Sequence, residues 1–177
     1  MKKTIAIILI LVTHVSKAQE ESSTPENTSM TSQLINNLLM QSQMSNGFAL
    51  SQVSNDNLTM RLNEKAASVG FIYRHIAETM HLFGTFLGEQ TPIQNTTMGQ
   101  MDEGQGSNFE ESQQLLTSGY ILLQDIIDKN SDSWWLEEIE TPFFGKVNRL
   151  RLFSHILYHN AYHSGQIALT ISKGDKL

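Results

Sequence analysis

The sequence predicts an all-α fold, a bundle of four helices, on three observations. Four long segments repeat apolar residues with the period of a helix. Strand alternation and hairpin signals are weak throughout, and there is no internal repeat. Five of the six histidines fall in two of the four segments, where a bundle would bring them to one place.

The first element is not a bundle helix. Lys2 and Lys3 precede an apolar run from Ile5 to Val12 and the stretch Val15-Ser16-Lys17-Ala18. That is the pattern of a secretory signal, and the run is too short to span a bilayer. Residues 1–18 are therefore read as a cleaved signal, which sends the mature protein to the periplasm or the cell exterior. Residues 19–29 are polar and read as a flexible leader. Residues 30–173 form the bundle domain.

The first helix is expected over roughly residues 30–53, with Leu34, Ile35, Leu38 and Leu39 as its apolar turns. The second covers roughly 67–87. The third covers roughly 109–129, started by Ser107-Asn108 with Glu110 and Glu111 in its first turn. The fourth covers roughly 146–171, with Gly174 after its end. Between the second and third lies a long polar and glycine-rich connection, residues 88–108. A connection of that length can run the length of a helix and leave helices two and three parallel, and it can also cover a site. Asn27-Thr28-Ser29, Asn57-Leu58-Thr59 and Asn95-Thr96-Thr97 match the glycosylation acceptor pattern at close to chance frequency.

Composition excludes several classes. The chain has no cysteine, so disulfides, thiolate ligands and thiol nucleophiles are ruled out. Three of the twelve Lys and Arg lie in the signal and none of the eighteen Asp and Glu do, leaving the mature chain nine against eighteen, a net −9. With no basic patch, nucleic acid is not an expected partner, and neither is stable insertion in a membrane. No nucleophile elbow, P-loop or dinucleotide fingerprint is present.

On a helical wheel, His75 falls within the apolar arc of the second helix. His81 falls opposite it, with Gly70, Arg74 and Thr85, and is expected to face solvent. The fourth helix is apolar on most of its circumference and is expected to be largely buried. One stripe of it carries Asn148, His155, His159, His163, Gln166 and Thr170. Three imidazoles on successive turns of a buried helix need partners, and coordination satisfies them together. His155 and His163 are about 12 Å apart along the axis, so one ion takes one i, i+4 pair, and spacing alone permits either. His75 adds a third nitrogen from the facing helix, leaving an open position for water or substrate. Histidine-only sites accept zinc, nickel, copper, iron or cobalt, with zinc or nickel foremost. Glu78, one turn from His75, is read first as a solvated or capping residue and second as a ligand-orienting group or general base. Tyr158 and Tyr162 can bring hydroxyls to the site or pack. Trp134-Trp135 reads as a lid on the core, and the methionines as core filler.

These motifs resemble the DinB-like family, also described as damage-inducible or bacillithiol-transferase-like metalloenzymes. The resemblance lies in Ser54 to Leu62, in the run Ala67 to Glu78 containing His75, in Pro142-Phe143-Phe144-Gly145, and above all in His159-Asn160-Ala161-Tyr162-His163-Ser164-Gly165-Gln166, similar to the family signature H-x-x-x-H-x-G-Q. It implies an up-down-down-up four-helix bundle with a long crossover between helices 2 and 3. It also implies a divalent metal ion held by His75, His159 and His163, with His155 and Gln166 as neighbours that orient the ligands. Catalytic residues stay open, with Glu78 and Tyr162 as candidates. Thiol-dependent transferases, isomerases and hydrolases occur among relatives, and relatives are often homodimers. The expected function is that of an exported metal-dependent enzyme, with the ion activating water or a thiol co-substrate against a small-molecule substrate. The alternatives are a non-catalytic metal-binding or stress-related protein of the same fold, and a bundle whose histidines bind nothing.

Overall fold

The computed structural model describes residues 29–176. The expected signal and nearly all of the leader lie outside them. Nine elements follow in order: α1 (Met30–Leu50), β1 (Met60–Arg61), α2 (Val69–Phe86), α3 (Phe109–Lys129), α4 (Asp132–Leu136), β2 (Glu138–Thr141), β3 (Gly145–Asn148), α5 (Arg149–Lys173) and β4 (Asp175–Lys176). The four long helices are the expected ones. Each begins on a Ser or Asn whose side chain accepts a backbone N–H of the first turn: Ser29 from Ser32, Ser68 from Phe71, Asn108 from Glu111, Asn148 from Arg151. Such a cap is worth about 1 kcal/mol and fixes where the chain turns into the helix. No helix among the described residues is long and apolar enough to cross a membrane.

Four helices surround one core. α2 packs against α3 and α5, and α1 against α5 and more lightly α3. Leu39, Ile76, Met80, Leu123, Ile126, Trp135, Leu152, Ile156 and Ile167 are fully buried there. Burying each such side chain stabilises the fold by roughly 1.5–3 kcal/mol. The α2–α3 seam is close because it is built on glycine: a Cβ on Gly119 would sit 2.7 Å from Met80 Cε. Arg74 meets Glu111, His81 meets Ser118 and Glu89 meets Lys129, so contacts ascend together along these two helices. Across α2 and α5 the order reverses, with Phe83 against His155 and His75 against His159 and His163.

Several expectations are corrected. The stretch before α5 is not plain loop. α4 places Trp135 in the core against Phe153, and β2 and β3 form an antiparallel hairpin, Glu138 opposite Asn148 and Thr141 opposite Gly145. β1 and β4 make a second, two-residue antiparallel pair. α1 stops at Leu50, where Val53 had been expected, and α5 starts at Arg149. α5 is not largely buried: Tyr158, Ala161, Tyr162 and Leu169 face out, while Asn160, Ser164 and Thr170 point in. The methionines are not uniformly core filler. Met80 is buried, but Met30, Met40, Met44 and Met101 are exposed.

The connection 88–108 is tied down at several points. Asp102 accepts the backbone N–H of Ser68 at 2.7 Å and pairs with Arg61 at 2.8 Å. Burial alone would raise the Asp102 carboxyl. The hydrogen bonds from Ser68 and Gly104, with Arg61 beside them, hold it below the usual carboxylate range. Gly106 lies against Gly70, where either Cβ would collide with the other backbone.

Candidate metal centre

α2 contributes His75, and α5 contributes His159 and His163 one turn apart. Their rings meet at 4.9 Å (His75–His159), 4.8 Å (His75–His163) and 4.3 Å (His159–His163), and one nitrogen of each lies within 4.8 Å of the others.

The hydrogen bonds show which nitrogens face inward. His75 Nδ1 is 3.0 Å from Thr97 Oγ1, His163 Nδ1 is 2.6 Å from Gln166 Oε1, and His159 Nδ1 has Asn160 Oδ1 at a long 3.5 Å. Each Nδ1 has an oxygen beside it and is thereby placed to carry the ring proton. Each Nε2 is then an unprotonated lone pair, and His75 Nε2 and His159 Nε2 lie 3.1 Å apart. Two bare lone pairs at that distance repel. A hydrogen on one of the two would relieve them, and so would a cation shared between them. Two nitrogens bound tetrahedrally to one zinc are about 3.3 Å apart, within a few tenths of the separation seen.

The electrostatics suit ligands. Burial, and then His163 nearby, push His75 from 6.5 down to about 4. Burial, with His163 and His75 adding to it, pushes His159 down to about 3. Burial lowers His163 as well, opposed by its bond to Gln166. Neutral imidazoles are the form that coordinates metal.

The remaining residues divide. Gln166 accepts from His163 and donates to the Tyr162 hydroxyl at 3.2 Å, which ties the His163 ring to α5's outer face. Tyr162 is exposed beside the His163 ring, and Tyr158 is more exposed still. His155 is not in the cluster. It packs edge-on against Phe144 and Phe83, with burial and Arg151 lowering its pKa. His81 does not face solvent. It is 5% exposed, its Nε2 3.1 Å from Leu115 O and its Nδ1 3.3 Å from Thr91 Oγ1. Glu78 is neither solvated nor a cap. It is fully buried and accepts from Arg74 Nε, the Thr96 N–H and the hydroxyls of Thr96 and Thr97. Burial alone would raise this carboxyl, and the hydrogen bonds outweigh it and hold it low. Sequence reasoning missed the role of Thr97, which it marked only as the end of an acceptor match within a long connection.

The fold and site thus define a helical-bundle protein with a three-histidine candidate metal centre. The family model described as "DinB family" matches residues 27–174, and the chain belongs to that family. Its fold is similar to that of TT2238, described as a four-helix bundle protein, at 20% identity and a TM-score of 0.55, over 77% of this chain and 97% of that one. It is also similar to a conserved protein from Enterococcus faecalis, at 16% identity and a TM-score of 0.61, over 80% and 98% of the two chains. At these identities the likeness is one of fold. No curated protein matches the sequence.

Proposed function

We propose that the protein is an exported metal-dependent enzyme of the DinB family, of transferase or hydrolase type. One observation carries the reading: three imidazoles from two facing helices with a nitrogen of each within 4.8 Å of the others, Nε2 of His75 and His159 being 3.1 Å apart. His75, His159 and His163 would hold a divalent ion, zinc or nickel foremost. Bound there, the ion supplies Lewis-acid activation of a water or a thiol co-substrate, with its charge undiminished by neutral ligands. The protein's own groups keep the ligands neutral and aimed. Tyr162 and Gln166 stand on the solvent side of His163, where a small-molecule substrate would approach. The second reading, a metal-binding protein without catalysis, has one observation in its favour: Glu78 has no free oxygen to serve as a base.

The helix directions are read as up-down-down-up, supported by the ascending α2–α3 contacts and the reversed α2–α5 contacts. Exposed Met30, Leu34, Met44 and Phe48 on α1 support a homodimer. Export rests on the pattern of residues 1–18.

Elemental analysis of the untagged mature protein beside His159→Ala tests the centre. About one equivalent of a transition metal in the wild type and its loss in the variant support it. No metal even after reconstitution sinks it. A metal-replete protein inactive on panels of thiol adducts, amides and esters leaves the non-catalytic reading.

A further inference from the structure

The 88–108 connection reaches the histidine cluster at Thr97, which is 2% exposed. Its hydroxyl carries a single hydrogen. Oγ1 lies 2.9 Å from Glu78 Oε2 and 3.0 Å from His75 Nδ1. Glu78 is ringed by donors alone: Arg74 Nε and the Thr96 hydroxyl on Oε1, the Thr96 N–H and the Thr97 hydroxyl on Oε2. A carboxylate so placed has no hydrogen to give and takes the one Thr97 has, as a charge-assisted bond. The Thr97 oxygen is then an acceptor toward His75, whose Nδ1 must carry the proton. That leaves His75 Nε2 bare and aimed at His159.

We propose that Thr97 is a positioning residue of the metal centre: anchored by Glu78, it holds His75 in the tautomer whose Nε2 ligates. This rests on the metal-centre reading above. It also gives the long connection a purpose. Asn95 Oδ1 caps the N–H groups of Thr97 and Met98, and Asp102 and Gly106 fix the segment against β1 and the start of α2, so the connection delivers one hydroxyl to one place. Outer hydrogen-bond partners of this kind typically change metal affinity 10–100-fold.

Thr97→Val removes the hydroxyl at nearly constant shape, and Thr97→Ser keeps it. Zinc affinity is measured by competition with a chromophoric chelator, and the His75 tautomer of the metal-free protein by long-range ¹⁵N–¹H correlation. Thr97→Val is expected to weaken zinc binding roughly 10–100-fold and to mix the His75 tautomers. Thr97→Ser is expected to keep Nδ1–H and stay within about threefold of the wild type. Wild-type affinity and tautomer in Thr97→Val overturn the proposal. Equal losses in both variants do the same, since the effect is then packing. If the wild type takes up no zinc, the metal reading fails and the tautomer still decides this one. Nδ1–H in the wild type, mixed in Thr97→Val and retained in Thr97→Ser, supports it. Nε2–H in the wild type sinks it.

Discussion

Five histidines sit on the same two helices, and they behave as two groups. His81 and His155 are finished residues: one is bonded to oxygens at both nitrogens, the other is packed edge-on among phenylalanines. His75, His159 and His163 turn their Nδ1 atoms to oxygens and gather a nitrogen each at one place, with Nε2 of His75 and His159 3.1 Å apart. His81 is more buried than any of the three. Neither burial nor histidine count marks a centre. What marks it is a ring nitrogen from each of three histidines brought within 4.8 Å of the other two.

The comparison breaks most visibly at His159, whose Nε2 lies 3.1 Å from that of His75. His159→Ala is expected to weaken zinc binding by more than about 100-fold, beyond what an orienting partner gives, while the bundle stays folded. Chelator competition with circular dichroism checks both halves. His81→Ala is expected to do the reverse. It strips a carbonyl and two hydroxyls of a buried partner, so urea denaturation is expected to show a loss of about 2 kcal/mol with zinc stoichiometry unchanged.

Acid sharpens the contrast next. In the unfolded chain the imidazoles titrate near 6.5, whereas His75 is held to about 4 and His159 to about 3 in the folded protein. As pH falls from 6.5 toward 4, the unfolded chain takes up protons that the folded chain refuses, so stability falls with pH across that window. Urea midpoints of the metal-free protein at about pH 7.5 and about pH 5 are expected to drop in the wild type and to drop less in His159→Ala. The smallest effect belongs to His155→Ala. Its ring only packs, and zinc affinity is expected to stay within about twofold, well short of the change an orienting partner gives.

Much of this was legible in the sequence. α3 fell on its expected bounds because Asn108 caps it and two glutamates follow, signals that need no tertiary context. The H-x-x-x-H-x-G-Q run marked His159, His163 and Gln166 together. His81 was misplaced because a wheel sees one helix, and its partners, Leu115 O and the Ser118 hydroxyl, come from α3. The β2–β3 hairpin escaped because its strands are four residues each, with only Thr141 and Val147 fully buried to mark a face. Gly145, at φ 60°, was the readable part of its turn. On α1, Leu34 and Leu38 share the apolar pattern of Ile35 and Leu39 yet face outward, because the helix offers more apolar surface than its neighbours cover. The role of Thr97 could not be read, since it depends on where the whole 88–108 connection comes to rest.

Arg61 gives the molecule a datum for assembly tolerance. Its backbone pairs with Asp175 just past α5, and its carbonyl abuts Gly174. Its guanidinium grips Asp102 and the Ala66 carbonyl. The helix bearing two of the imidazoles and the segment bearing Thr97 are therefore both gauged from one residue. A helix with about 3.6 residues per turn swings each side chain about 100° per position, so a slip of a single position along α5 would turn His159 and His163 off the face that meets His75.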